Sequence, residues 1–143
     1  MFPRRAEDRP PPASFACLPL LVLALLGACS PSIGDSCNSS LDCSVTAERI
    51  CDRASPGGYC TVPGCEAGRC PDEAVCVEFQ PEPQRLAQTF CMRRCSGNSD
   101  CRGDYECLRG SDLPDLDTGE PVARSLDGDP DRRFCVYPDP FRP

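Results

Sequence analysis

The stretch Cys95-Ser-Gly-Asn-Ser-Asp-Cys-Arg-Gly-Asp-Tyr-Glu-Cys107 places three cysteines so that five residues fill each gap. Cysteines are dense outside this stretch as well, because the chain of 143 residues contains 14 of them. Such a content in a short chain is typical of a scaffold held together by disulfides. We therefore predict a small disulfide-rich fold of short β-hairpins and loops, with little regular secondary structure.

Spacing divides the body of the chain into three units of four cysteines. Unit 1 covers 37–60, unit 2 covers 65–91 and unit 3 covers 95–135. The cysteines expected to form disulfides are Cys37, Cys43, Cys51, Cys60, Cys65, Cys70, Cys76, Cys91, Cys95, Cys101, Cys107 and Cys135. An aromatic residue precedes the fourth cysteine of every unit, as Tyr59, Phe90 and Phe134. This regularity indicates an internal repeat.

The middle unit is either a diverged copy of the repeat or not a copy, because its first loop differs. Asp42 and Asp100 precede the second cysteine of units 1 and 3, but Cys65-Glu-Ala-Gly-Arg-Cys70 lacks this Asp and is one residue shorter. Four cysteines allow three pairings, and spacing alone does not select one. We favour the interleaved pairing, in which the first cysteine bonds to the third and the second to the fourth. Bonds between neighbouring cysteines would not link the two ends of each unit.

Local patterns predict few regular elements. The segment 74–79 is rich in apolar and β-branched residues and is predicted to be a strand that pairs with 89–92 as a hairpin. The segment 44–51 is predicted to form one helical turn. The insertion 108–134 carries seven acidic residues and is predicted to be an acidic loop, either functional or disordered. The tail 136–143 contains three prolines and is predicted to be extended.

The N-terminal region has the order of a secretory signal. An arginine-bearing start precedes the apolar run 15–26, and Leu26-Gly-Ala-Cys29 follows. This tetrapeptide resembles the lipobox of bacterial lipoproteins. The resemblance implies that 1–28 is a lipoprotein signal peptide and that Cys29 carries the lipid. Residues 29–36 would then form a flexible tether.

The cysteine count agrees with lipidation. With Cys17 removed in the signal peptide and Cys29 lipidated, twelve of the 14 cysteines remain, an even number that can pair completely. Disulfides persist in oxidising compartments such as the bacterial periplasm. We therefore expect a lipid-anchored location in the cell envelope. Ser30 follows the lipidated position, and its resemblance to an outer-membrane sorting rule favours the outer membrane over the inner one.

Two segments carry a second resemblance. The stretch from Cys95 to Cys107 resembles the cysteine-rich repeat of Dickkopf N-terminal-like modules, and Ile33-Gly-Asp-Ser-Cys37 is similar to the opening of such repeats in uncharacterised bacterial lipoproteins. The resemblance is close in units 1 and 3 and poor in unit 2. It implies a compact extracellular module and no enzyme activity.

The composition of the chain argues against several kinds of catalytic, metal and nucleic-acid-binding sites. The chain has no histidine, so neither a Ser–His or Cys–His nucleophile pair nor a histidine-bearing zinc site can be built. A zinc site made of thiolates is disfavoured by the oxidising compartment. A net charge of −7 argues against nucleic acid, whose affinity comes largely from basic side chains. We expect no cofactor.

The leading hypothesis is a non-enzymatic, cysteine-rich module with a structural or protein-binding role at the cell envelope. Its partners would be the membrane, through the lipid on Cys29, and an extracellular or periplasmic protein. One alternative is an inhibitor of secreted peptidases with Arg85 or Arg109 as the bait residue. Another is a calcium-dependent adhesion module, since Asp127, Asp129 and Asp131 alternate as in calcium loops. The second alternative is weakened because Arg132 stands where an EF-hand has glycine.

Overall fold

The computed structural model describes residues 31–80 and 84–139. The predicted signal peptide 1–28 and the lipidation site Cys29 lie outside the described residues. The strands in the described part are β1 Ile50–Asp52, β2 Tyr59–Thr61, β3 Ala74–Phe79, β4 Gln88–Arg93, β5 Glu106–Leu108, β6 Ala123–Ser125 and β7 Phe134–Val136. Short 3₁₀ turns occupy Ser40–Asp42, Gln84–Leu86, Asn98–Asp100 and Gly110–Asp112. A search of the same residues finds no helix with the length and apolarity needed to cross a membrane.

Each unit contains one antiparallel hairpin that carries its third and fourth cysteines. The hairpins are β1–β2, β3–β4 and β5–β7, and in each the two cysteines lie directly opposite one another. The predicted hairpin of unit 2 is therefore confirmed. It is the longest of the three, because its strands have six residues each.

The disulfides join each hairpin to the loop that precedes it. The bonds are Cys37–Cys51, Cys43–Cys60, Cys65–Cys76, Cys70–Cys91, Cys95–Cys107 and Cys101–Cys135. The interleaved pairing is thus confirmed in all three units, and each bond stays within its unit. The Cα–Cα distances of the first-to-third bonds are 5.8, 5.9 and 5.8 Å, so the units repeat in geometry as well as in order.

A glycine pair allows the hairpin of unit 1 to form. Gly57 and Gly58 precede β2 with φ values of 72° and 68°, a region that other residues rarely adopt. A Cβ atom on Gly58 would lie 2.0 Å from the carbonyl oxygen of Cys37. The chain therefore needs glycine at position 58 to bring β2 close to the first cysteine.

The expectation of an acidic loop over 108–134 is wrong. Leu108 ends β5, and β6 pairs antiparallel with β3 to give a three-stranded sheet in the order β4-β3-β6. Between these strands, Leu113 is fully buried and its carbonyl oxygen accepts a hydrogen bond from Val122 at 2.9 Å. The amide of Asp115 donates to the carbonyl of Glu120 at 2.8 Å. The insertion is therefore an ordered hairpin-like element on the sheet of unit 2.

The expectation of a flexible tether over 29–36 is wrong for the described part of that range. Ile33 has no solvent-exposed surface. The amide of Gly34 donates to the carbonyl of Cys60, and the amide of Cys60 donates to the carbonyl of Asp35, both at 2.9 Å. This segment therefore covers the free edge of β2 and belongs to the fold.

The expectation of a helical turn over 44–51 also fails. Residues 44–49 form turns and bends, and Ile50–Asp52 is β1, so no helical turn covers 44–51. In the predicted tail, Val136 ends β7 and Pro138 is buried, which ties the start of that segment to the fold. Residues 140–143 lie outside the described part.

One apolar core is shared by the three units. Its largest fully buried side chains are Tyr59, Phe134, Ile33, Leu113, Val75 and Val77. The hydroxyl of Tyr59 donates to the carbonyl of Cys135 at 3.1 Å and accepts from the amide of Arg93 at 3.0 Å. Burial raises the pKa of Tyr59. A residue of unit 1 thus makes hydrogen bonds to the end of β4 and to unit 3.

Arg102 joins unit 3 to unit 1 from the surface. Its guanidinium carbon lies 4.4 Å from the ring centroid of Tyr105. Its Nε donates to the carbonyl of Gly34 at 2.8 Å, and its Nη2 donates to the carbonyls of Pro56 and Gly58. Arginine suits this role because its planar group donates in several directions while it stacks on an aromatic face.

Candidate functional site

The first loop of units 1 and 3 is closed by its own aspartate. Asp42 Oδ2 accepts hydrogen bonds from the amides of Asn38 and Ser39, both at 2.8 Å. Asp100 Oδ2 accepts in the same way from the two residues that follow Cys95, at 2.7 and 3.3 Å. These backbone hydrogen bonds lower the pKa of Asp42 and of Asp100, because they favour the charged form.

A second side chain of the same loop holds the adjacent hairpin. Ser40 Oγ accepts from the amide of Cys51 at 3.2 Å in unit 1. Asn98 Oδ1 accepts from the amide of Cys107 at 2.9 Å in unit 3. In both units, therefore, the loop satisfies the outward-facing amide of the third cysteine, which would otherwise lie at an open strand edge.

Unit 2 has neither side chain, and the insertion supplies a substitute. Ala67 and Gly68 stand in its first loop, and Arg69 occupies the place of the aspartate. Asp127 fills the gap: Oδ1 accepts from the amide of Gly68 at 2.7 Å, and Oδ2 accepts from the amide of Cys76 at 3.0 Å. Both carboxylate oxygens of Asp127 are therefore engaged in structure.

Sequence reasoning missed this role of Asp127. The sequence indicates Asp127 only as a possible calcium ligand, in alternation with Asp129 and Asp131. The signal that could have found it is the missing aspartate of unit 2, because an open loop in an otherwise regular repeat predicts a substitute acceptor elsewhere.

Asp112, Asp115 and Asp129 of the insertion each accept local hydrogen bonds. Asp115 Oδ1 accepts from the amides of Asp117 and Thr118 and from the hydroxyl of Thr118, at 2.9 to 3.0 Å. Those hydrogen bonds lower the pKa of Asp115. Over 31–80 and 84–139, sets of three ligand-type side chains whose ligand atoms lie within 4.8 Å consist of cysteines, and these cysteines are disulfide-bonded. The structure therefore does not gather Asp127, Asp129 and Asp131 into a ligand set.

The two arginines suggested as peptidase bait lie in different settings. Arg85 is exposed within the 3₁₀ turn Gln84–Leu86. Arg109 is half-buried, and its amide donates to Asp112 Oδ2 at 3.0 Å. They lie on separate elements, one at the β3–β4 connection and one just after β5.

The surface feature best suited to binding is a groove of about 420 Å³ between the far end of the β3–β4 hairpin and the insertion. We call it the leucine groove. Its lining residues are Phe79, Gln80, Leu86, Gln88, Pro114, Asp115, Leu116, Asp117 and Val122. Leu86 is 50 % exposed and Leu116 is 60 % exposed. Among the described residues, four large hydrophobic side chains are exposed to this degree, and two of them lie here.

Both walls of the leucine groove are fixed by the fold. Phe79 lies at the end of β3, and its ring contacts that of Phe134 in an edge-on arrangement with centroids 6.2 Å apart. On the other wall, Val122 and Leu113 are joined by a backbone hydrogen bond, and Gly119 adopts φ of 74° in the turn between them. The turn that carries Leu116 is therefore held by ordered backbone.

Comparison with protein-family models, with curated proteins and with solved structures gave no match to this chain.

Proposed function

We propose that the chain is a lipid-anchored, non-enzymatic module that binds another protein in the cell envelope. The leucine groove is the observation that carries the binding role. Contiguous exposed apolar surface on a small protein commonly marks an interaction site, and two exposed leucines, Leu86 and Leu116, line this groove. The anchor rests on the lipobox-like Leu26-Gly-Ala-Cys29, and the envelope location rests on the disulfides together with that sequence.

A rigid frame is favourable for such a role. Binding costs conformational entropy when loops and side chains become ordered, and a preorganised surface avoids part of that cost. Two disulfides hold the β3–β4 hairpin, and Asp127 and β6 hold the insertion against it. The groove can therefore bind a partner without first ordering its own walls.

The anchor is tested by the intact mass of the native protein purified from membranes, measured before and after reduction with thiol alkylation. We expect the mass of a chain that begins at Cys29 plus acyl groups. We also expect no alkylation until the protein is reduced. A mass without acyl groups would remove the anchor, and thiols that alkylate before reduction would remove the envelope assignment.

The binding role is tested by photo-crosslinking in intact cells. A photoreactive amino acid replaces Leu116 in one version of the full chain and Val45 in another, since Val45 is 88 % exposed and lies outside the groove. We expect one discrete crosslinked protein from position 116 and none of that mass from position 45. The crosslink should disappear when Leu86→Ser is added. Equal crosslinking from both positions, or indifference to Leu86→Ser, would refute the leucine groove as a binding site.

A further inference from the structure

The chemistry of the leucine groove indicates what kind of partner it receives, an inference that rests on the proposed function above. We infer that the groove binds an extended protein segment in which an apolar side chain stands beside a basic one. The apolar part follows from the apolar side chains that line both walls, Phe79, Val122, Leu86 and Leu116, which together we call the floor of the groove. A volume of about 420 Å³ is within the usual range of binding pockets, and it has room for only a few side chains.

The negative charge at the edge of the groove, which we call its rim, favours a basic side chain in the bound segment. Asp115 and Asp117 are the charged residues among the described residues that line the groove, and no arginine is included. Asp115 stays ionised at neutral pH, since its local hydrogen bonds lower its pKa. Two carboxylates without a cation beside an apolar floor attract a positively charged group and repel a negatively charged one.

Two amide side chains add a polar complement. Gln80 and Gln88 line the same groove and both are exposed. An amide side chain offers a donor and an acceptor, the two groups that a peptide backbone presents in alternation. An extended segment can therefore hydrogen-bond to the glutamines while its apolar side chain enters the floor and its basic side chain reaches the rim.

The test is a selection of random heptapeptides displayed on phage against the full chain as purified from membranes. Binding of the enriched peptides is then measured by fluorescence anisotropy with two variants. Leu116→Ser removes part of the floor, and its matched control is Val45→Ser. The double variant Asp115→Asn with Asp117→Asn removes the rim charges while it keeps the acceptor oxygens. Its control is Asp129→Asn, because Asp129 also accepts a local backbone hydrogen bond.

We expect enriched peptides that combine an aliphatic or aromatic residue with a neighbouring Arg or Lys. Their affinity should fall about tenfold in Leu116→Ser and about five- to tenfold in the double variant, with more loss at low than at high salt. Both controls should stay within about twofold of the parent, the usual range for exposed side chains outside a contact.

The alternative outcomes separate the two proposals. One outcome would overturn this inference and leave the binding role intact. In it, the enriched peptides lose affinity in Leu116→Ser, carry no basic residue and bind the double variant with unchanged affinity. If the peptides bind Leu116→Ser with unchanged affinity, or if the selection enriches no peptide, both the inference and the binding role of the groove are overturned.

Discussion

Units 1 and 3 stabilise their first loops with their own side chains, whereas unit 2 depends on a carboxylate 59 residues away from the amide of Gly68. In units 1 and 3 the loop aspartate and the Ser40 or Asn98 acceptor come from the loop itself. In unit 2 one residue, Asp127, accepts from both the loop and the hairpin. The comparison teaches that a structural repeat persists after its local side chains are lost when a distant residue accepts hydrogen bonds from the amide of the third cysteine and from another amide of the loop.

The position of unit 2 in the molecule explains why this dependence matters. Its cysteines Cys65, Cys76 and Cys91 belong to the shared apolar core, whereas the cysteines of units 1 and 3 form separate small clusters. Its sheet also receives β6 from the insertion. Damage to unit 2 is therefore expected to spread to the whole molecule, and damage to unit 1 to remain more local.

The largest effect is expected from removing the first disulfide of unit 2. The double variant Cys65→Ala with Cys76→Ala should lower the free energy of unfolding by about 3–5 kcal/mol, since loss of a native disulfide from a small domain typically costs ~2–5 kcal/mol and Cys76 is fully buried in the core. The matched control is Cys37→Ala with Cys51→Ala, which opens a loop of similar length, 14 residues against 11. Denaturant unfolding should show the smaller loss in the control, and an equal or larger loss there would contradict the comparison.

A smaller loss is expected when unit 2 is deprived of its distant acceptor. Asp127→Ala should cost about 2–3 kcal/mol, because hydrogen bonds to a charged group contribute ~1.5–3 kcal/mol and two amides lose their partner. Thermal and denaturant unfolding measure this change. The control is Asp129→Ala in the same segment, which should cost well under half as much. If the two variants are equally stable, Asp127 does not support unit 2.

The local acceptors of the other units should matter less. Asn98→Ala should cost about 1 kcal/mol, the usual net contribution of a single neutral hydrogen bond. Ser40→Ala should cost less still, because its hydrogen bond is exposed and longer, 3.2 against 2.9 Å. Hydrogen exchange of the Cys51 and Cys107 amides gives a direct readout: each should exchange faster only in the variant of its own unit. Faster exchange of both amides in either variant would contradict the independence of units 1 and 3.

The smallest expected effect is on the stability of the folded protein at acidic pH. Hydrogen bonds to backbone amides lower the pKa of Asp42 and of Asp100 in the folded protein. Their stabilisation is therefore complete above the ordinary value of 3.8 and is lost as the pH falls through the lowered folded pKa. Asp42→Asn with Asp100→Asn should flatten the decline of stability below about pH 4. Arg69→Gln, which changes the corresponding residue of unit 2, should leave the decline unchanged.

Sequence patterns predicted what is local in this fold. Cysteine spacing identified the three units, the need to tie the ends of each unit favoured the interleaved pairing, and β-branched residues identified the hairpin of unit 2. The failures involve long-range contacts. β6 pairs with β3 far along the chain, and Ile33 is an isolated large apolar side chain in a polar segment, so neither has a local signature. The leucine groove was also missed, because its two walls meet only in the folded chain.

The interleaved pairing also governs how the protein must oxidise. No native bond joins two cysteines that are neighbours in the order of the chain. Formation of the hairpins alone does not select the native bonds. Each hairpin places its third and fourth cysteines opposite one another, and a bond between these two cysteines would be non-native. An oxidant that acts on adjacent thiols would therefore produce only wrong pairs, and the native set would then be reached through attack of free thiolates on those bonds. If oxidation starts between thiols that are neighbours in the chain, maturation requires disulfide reshuffling, and the supply of an isomerase activity rather than of oxidant then limits the yield.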